Sequence, residues 1–459
     1  MGLVSSSAPA ALEPVRMARI LRTWWPLAAS WMLMAIELPL ASAVMARLPS
    51  PDISLAAYGG VVFPLSMLVE APIIMLLSAS TALSTDRVSY AFLHRFMMAS
   101  GAVLTVLHAA IAFTPLYDVI VGGIMGPPEE VLGPARYGLM IMTPWTWAIA
   151  YRRFQQGVMI RFGRSHHVGI GTAVRVATNA VVLGAGVLIG NVPGIIVGCM
   201  AVALGVVAEA AYAGISVRPT LRGPLREAPL SGRPLTARGF THFYLPLALT
   251  SLLAMAGIPI ISAGIGRLPL ALASLAALPV VNGVTFLLRS LGFALNEVVV
   301  ALVDRPGAYV RLRRFAMFLG VASSAILLLL AATPLSTFYF RHVAALSPEL
   351  EELAVRGLWV VLPMPFFSAL QAWFQGKILH SRRTRGITES VALYLVVSAG
   401  LMFWGTKALS WTGLYVGLSA VVAGSAVQIF WMWVRSRGLR PVAVEDDGIG
   451  LGAAECKGT

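Results

Sequence analysis

Apolar runs about as long as a bilayer is thick, separated by short polar segments, recur along the whole chain. A helix needs about 20 apolar residues to cross the hydrocarbon core. Runs of that kind fall near 24–46, 55–83, 97–117, 137–158, 168–190 and 194–217. A second set falls near 243–265, 271–302, 315–338, 353–378, 388–406 and 411–434. The pattern predicts an all-α polytopic membrane protein of about twelve transmembrane helices. Asn191–Pro193 breaks the chain sharply between the fifth and the sixth.

The charges between the runs check this count independently, because basic residues concentrate on the cytoplasmic side of a membrane. If the segment with Arg16, Arg19 and Arg22 is cytoplasmic, every second connection should be basic, and each is. They hold Arg87 and Arg95; Arg152, Arg153, Arg161 and Arg164; and Arg218, Arg222, Arg226, Arg233 and Arg238. Later come Arg305, Arg311, Arg313 and Arg314; Lys377, Arg382, Arg383 and Arg385; and Arg435, Arg437 and Arg440. The opposite connections carry acids, among them Asp118, Glu129, Glu130, Glu349, Glu351 and Glu352. Both termini are therefore expected in the cytoplasm, and the first run reads as an uncleaved helix rather than a signal peptide.

An internal repeat runs at an offset of 220 residues. Pro26-Leu27-Ala28 matches Pro246-Leu247-Ala248, and Pro39 matches Pro259. Arg47-Leu48-Pro49 matches Arg267-Leu268-Pro269, and Ser54-Leu55-Ala56-Ala57 matches Ser274-Leu275-Ala276-Ala277. Of the 32 positions from 26 to 57, 14 are identical without a gap. Six helices per half give both halves the same orientation, so the expected pseudo-two-fold runs along the membrane normal, an arrangement found in transporters. The expected organisation is a cytoplasmic segment (1–23), an N-terminal lobe (24–217), a cytoplasmic linker (218–240), a C-terminal lobe (241–440) and a disordered tail (441–459).

Composition narrows the class. Hydrophobic residues make up 58% of the chain and charged ones 12%, against roughly 25% charged in soluble domains. The net charge of +14 sits in short clusters between apolar runs, which sets topology and does not form a groove for nucleic acid. Cys199 and Cys456 make neither a disulfide framework nor a metal motif.

A charge at the bilayer centre costs about 2.5–3.5 kcal/mol on insertion scales, so each one calls for a reason. Glu37 lies mid-span in the first helix, two residues before Pro39, which bends a helix by removing a backbone bond. Burial disfavours charge on a carboxylate in general, which makes proton coupling through Glu37 physically reasonable. Glu70 lies mid-span in the second helix and is the other candidate for the coupling ion. Arg289 lies deep in the eighth helix with Asn282, Asn296 and Glu297 nearby, and these four are the candidate substrate-cavity residues. By the repeat, Arg289 corresponds to Val69, next to Glu70, so Glu70 and Arg289 are expected to face each other across the lobe interface as a switch or a static pair. Pro259 is expected to repeat the bend in the seventh helix, with Gly257 in place of the acid. Glu209 reads as structural.

Signatures of soluble enzymes are missing. No GxxxxGK[ST] run supports ATP hydrolysis, His166-His167 sits in a basic loop without carboxylates, and no nucleophile cluster is evident. No catalytic residue, metal site or cofactor is expected.

The 6+6 repeat, the SLAAYG stretch (54–59) and RRFQQGVMIRFGRS (152–165) resemble the MATE-like transporters of the multidrug/oligosaccharidyl-lipid/polysaccharide exporter (MOP) superfamily. WPLAASWMLMAIELPLAS (25–42) followed by SLAAYG is similar to the progressive ankylosis branch and its bacterial relatives. The resemblance implies two lobes in a V, alternating access to a central cleft, and coupling to a proton or Na⁺ gradient. It matches the acid that many MATE proteins carry in the first helix to Glu37, here Glu instead of the common Asp and without a second acid in that helix. The ankylosis branch is associated with export of citrate, ATP and pyrophosphate, which agrees with an anion drawn by Arg289. The expected function is secondary active export of a small organic solute by a monomer in a bacterial inner membrane. The alternatives are a lipid-linked saccharide flippase and a non-transporting scaffold.

Overall fold

The computed structural model describes residues 15–229, 235–381, 385–408 and 410–438. The tail at 441–459 and part of the linker at 230–234 lie outside the described residues. Twelve long helices account for most of the described chain. They are α1 (Met17–Met45), α2 (Pro51–Leu83), α3 (Arg87–Phe113), α4 (Glu129–Arg161), α5 (His166–Ile189) and α6 (Gly194–Ser216). The second half supplies α7 (Ala237–Ile265), α8 (Ala271–Leu302), α9 (Ala308–Ala332), α10 (Pro348–His380), α11 (Arg385–Ala408) and α12 (Gly413–Ser436). Eleven are long and apolar enough to cross a membrane. The exception, α4, has the length, but Arg152, Arg153, Gln155 and Gln156 make its last turns polar. Large apolar side chains such as Val181, Phe318 and Val396 are about two-thirds exposed, as lipid-facing positions should be.

The repeat is also a repeat of geometry. Ser50 and Leu270, 220 apart, both adopt the left-handed backbone conformation at φ 55°, each at the start of the second helix of its half. Such a conformation is uncommon away from glycine, so its recurrence at matched positions reflects one inherited turn. At the matched turns Gly194 donates to Pro49 O (3.4 Å) and Gly413 to Pro269 O (3.1 Å).

α1 is interrupted at Ile36, which separates Met17–Ala35 from Glu37–Met45. Pro39 has no N–H to give the Ala35 carbonyl, so the backbone ladder lapses there. In α7 the helix assignment continues through both Pro246 and Pro259, so the interruption occurs in one half only. The first segment of α1 leaves its own half and packs on the other: Ile20, Trp24 and Ala28 join Ala294, Leu295 and Val298 of α8, Phe315 of α9 and Trp373 of α10 in one apolar cluster. Trp24 Nε1 donates to Leu291 O at 3.0 Å. α7 crosses reciprocally, with Phe240 and Tyr244 meeting Phe96 of α3 edge to face and Tyr244 donating to Pro72 O (2.6 Å).

Candidate functional site

Five helices of the first half bring six ionisable side chains together inside the bundle. Glu37 on the second segment of α1 accepts from Arg175 Nε of α5 at 2.7 Å. Arg175 also reaches Glu209 Oε2 of α6 at 3.5 Å. The other oxygen of Glu209 accepts from Arg152 Nη1 (3.0 Å) and from Gln156 Nε2 (2.8 Å), both on α4. Glu70 on α2 is buried, and its charge neighbours are Arg153, Arg152 and Arg175. Three acids and three arginines thus share one site, and their formal charges cancel.

Chain packing makes the assembly possible. Gly157 allows α4 to lie directly on α2, since a Cβ there would fall 2.5 Å from Leu77 O and 1.7 Å from Ser80 Oγ. Ser80 Oγ donates to Phe154 O (3.0 Å) across the same contact. Gly157→Val is therefore expected to force the two helices apart and lower stability by about 1–3 kcal/mol, seen as an earlier thermal unfolding transition in detergent; an unchanged transition would show the contact to be slack.

Within the group, exposure separates the members. The Glu209 side chain is fully buried, while that of Glu37, beside the break in α1, is 20% exposed. Arg175 joins the two acids, so a change at Glu37 is felt at Glu209 through one guanidinium. Neutralising Glu37 would leave Arg175 to Glu209 alone and free the second segment of α1 from α5.

Arg289 lies in the second half and has a different environment. Its Nε donates to Ser368 Oγ of α10 at 2.9 Å, and its guanidinium lies 5.3 Å from the Phe293 ring. Phe286 and Trp31 flank Phe293 at 5.8 and 5.5 Å, and Tyr394 of α11 is its electrostatic neighbour. Among the described residues no carboxylate pairs with Arg289. Asn296 is half-buried with its side-chain oxygen unbonded, whereas Asn282 and Glu297 are exposed.

The expected pairing of Glu70 with Arg289 does not form. α2 and α8 do meet, but near Gly60 and Leu275 and near Gly59 and Pro279, toward one end of each helix. Beyond that crossing they diverge: the later part of α2 packs on α7, and that of α8 on the first segment of α1. Glu70 and Arg289 lie on the diverging parts, each among its own lobe's residues. Nor does Glu297 reach Arg289. Arg152 and Arg153, counted above with a polar connection, instead lie within α4, Arg152 buried and Arg153 half-buried, and Lys377 is buried, with Nζ 3.3 Å from Tyr309 Oη and 3.2 Å from Ser436 O. Arg175 stood in plain sight as a charge within the 168–190 run; its significance needed the partner helices.

Searches against protein-family models and against curated proteins match nothing. Solved structures do match. An inward-facing multidrug resistance MATE family transporter of the MOP superfamily aligns with a TM-score of 0.66 at 17% identity, over 90% of this chain and 98% of that one. Lipid II flippase MurJ in an inward closed conformation aligns with 0.66 at 12% identity, over 89% and 87%. An outward-facing MATE family transporter aligns with 0.58 at 15% identity, over 93% and 99%. The chain is a multi-pass membrane protein whose fold is that of the solved MATE family transporters.

Proposed function

We propose that this MATE-type fold exports a small organic anion by alternating access, using an ion gradient taken up at Glu37. The observation that carries the reading is the asymmetry between the lobes. Glu37, Arg152, Arg153 and Glu209 have Gly257, Ala372, Trp373 and Ile429 at the matched positions, 220 residues on. Val69 stands where the second half has Arg289. One lobe therefore holds a formally neutral charge group, partly ion-paired, with one acid at its accessible edge. The other holds Arg289 with aromatic neighbours and, among the described residues, no carboxylate paired with it. The first suits a coupling ion, and the second suits an anion.

Three further points support the reading. The α1 break beside Glu37 gives a protonation event a helix to move. The inward-facing and the inward closed neighbours align equally well, at 0.66 each against 0.58 for the outward-facing one, which agrees with closure at the end opposite the start of α1. The basic connections favour the cytoplasmic side for the end where α1 begins, and a helical bundle suits a bacterial inner membrane better than an outer one, whose spanning proteins are barrels.

The test is anion-gated proton movement in proteoliposomes, with citrate, pyrophosphate, ATP and cationic dyes as the panel and Na⁺ varied separately. Wild type is expected to move protons, or Na⁺, only when an anion is supplied, and Glu37→Gln is expected to lose this coupling while remaining folded. Coupled dye movement without anion movement would overturn the anion assignment; normal coupling in Glu37→Gln would overturn Glu37. The MurJ likeness sustains a second reading, a lipid-linked saccharide flippase, whose pyrophosphate would also suit Arg289. It calls instead for translocation of a lipid-linked sugar with no soluble anion flux.

A further inference from the structure

The Arg-Leu-Pro triplets, the most distinctive block of the repeat, sit where α1 and α7 end, at the end of the bundle opposite the basic connections. In each, the leucine is buried (Leu48, Leu268) and the arginine is exposed. Both arginines reach across to the other half. Arg47 donates through Nη1 to Val343 O (2.9 Å) and through Nη2 to His342 O (2.7 Å). Arg267 donates through Nη2 to Ile124 O (2.5 Å) and to Gly123 O (3.5 Å). Each also donates to its own helix, Arg47 to Ala43 O (2.7 Å) and Arg267 to Ala263 O (2.9 Å).

The acceptors are repeat partners as well. Gly123 and Val343 are 220 apart, as are Ala43 and Ala263. They belong to two wide π-helical turns, Asp118–Met125 after α3 and Tyr339–Val343 after α9. A turn of this kind ends with carbonyls that the chain itself does not bond, free to accept from elsewhere. The two halves touch closely beside one of them, since a Cβ at Gly266 would fall 2.9 Å from Gly126 O.

We propose that Arg47 and Arg267 are twin latches that close this face of the transporter and must both release before it opens to that side. The proposal rests on the alternating-access reading above. The chemistry suits a reversible closure. Each arginine meets uncharged carbonyls at an exposed site, so on separation water takes over every bond and no buried charge is stranded. The bond to the arginine's own helix persists and keeps the side chain aimed for reclosure. Two latches related by symmetry hold both edges of the face, so losing one leaves the other engaged.

The test is a distance measurement between nitroxide labels at Val119→Cys, exposed in the first turn, and Phe338→Cys, exposed immediately before the second, in the full chain carrying Cys456→Ser. In the unaltered latch background one short distance is expected to dominate. Arg47→Ala or Arg267→Ala should each raise the ratio of open to closed face by roughly tenfold, and the double variant by roughly a hundredfold if the latches act independently. Arg47→Lys with Arg267→Lys should fall between, because an ammonium keeps the charge but not the fork of donors. A second label pair within one lobe, Val119→Cys and Val181→Cys, reports intact folding. A folded double alanine variant with the unaltered distance distribution overturns the proposal; should that variant not fold, the lysine pair decides, and no shift there overturns it equally. Opening of the face in a protein that transports nothing would support the latches and count against the function proposed above. Normal anion flux with no shift would do the reverse.

Discussion

Glu209→Ala is expected to lower the stability of the protein by about 3–5 kcal/mol, the usual consequence of removing one partner of a buried ion pair. Glu209 is fully buried and accepts from Arg152 and Gln156 while facing Arg175. Its loss would leave two guanidinium groups in the bundle interior, with only Glu70 and Glu37 to offset three arginines. Lipid and packed helices supply no water to replace the lost acceptor. Glu209→Gln should cost less than alanine, since the amide oxygen can still accept. A double-mutant cycle with Arg152→Ala separates the pair from the lost packing: the double variant should lose clearly less than the sum of the two single ones. The readout is the thermal unfolding transition in detergent. If Glu209→Ala unfolds within about a degree or two of wild type, the network contributes little to stability, and Glu209 has to be reconsidered as a purely functional group.

Arg289→Ala is expected to reduce anion flux by about ten- to a hundredfold, the range that one lost charge-assisted contact of about 1.5–3 kcal/mol implies. Folding should survive, because Ser368 Oγ also donates to Met364 O and keeps a partner. Arg289→Lys should retain part of the flux, since the charge remains but the planar group that lies against Phe293 is lost. The effect should fall on the apparent affinity for the anion first, because in the proposed function the guanidinium acts on the bound solute while coupling belongs to the other lobe. Initial-rate flux at a series of anion concentrations measures it. Equal affinities in wild type and Arg289→Ala would remove Arg289 from the cavity and return the substrate class to an open state.

Much of the architecture was legible because membrane spans are written in linear composition. Span length, the alternation of basic connections and the 220-residue repeat each depend on residues near one another or at fixed offset. The twelve helices follow from them, and so does the break beside Pro39. The repeat also foreshadowed the matched left-handed turns at Ser50 and Leu270. The matched prolines differ in one respect: α1 is interrupted beside Pro39, while α7 runs unbroken through Pro259.

The candidate site was legible only in fragments. Glu37 and Glu70 stood out as charges in apolar runs, and both belong to the network. Arg152 and Arg153 looked like topology-setting charges, because hydropathy does not distinguish a helix's last interior turns from the connection after it. Glu209 looked structural because its partners lie on α4 and α5, far away in the chain. The pairing of Glu70 with Arg289 followed from symmetry alone, and symmetry fixes which positions correspond without fixing where two helices part.

The sequence by itself determined that the chain spans a membrane about twelve times in two related halves, because apolar length and charge placement are local properties that lipid reads directly. Only the tertiary structure decided that Glu37, Arg175, Glu209 and Arg152 form one network and that Arg289 stands apart from it. The partner of a buried charge is set by which helix faces lie against each other, and that depends on packing across the whole bundle.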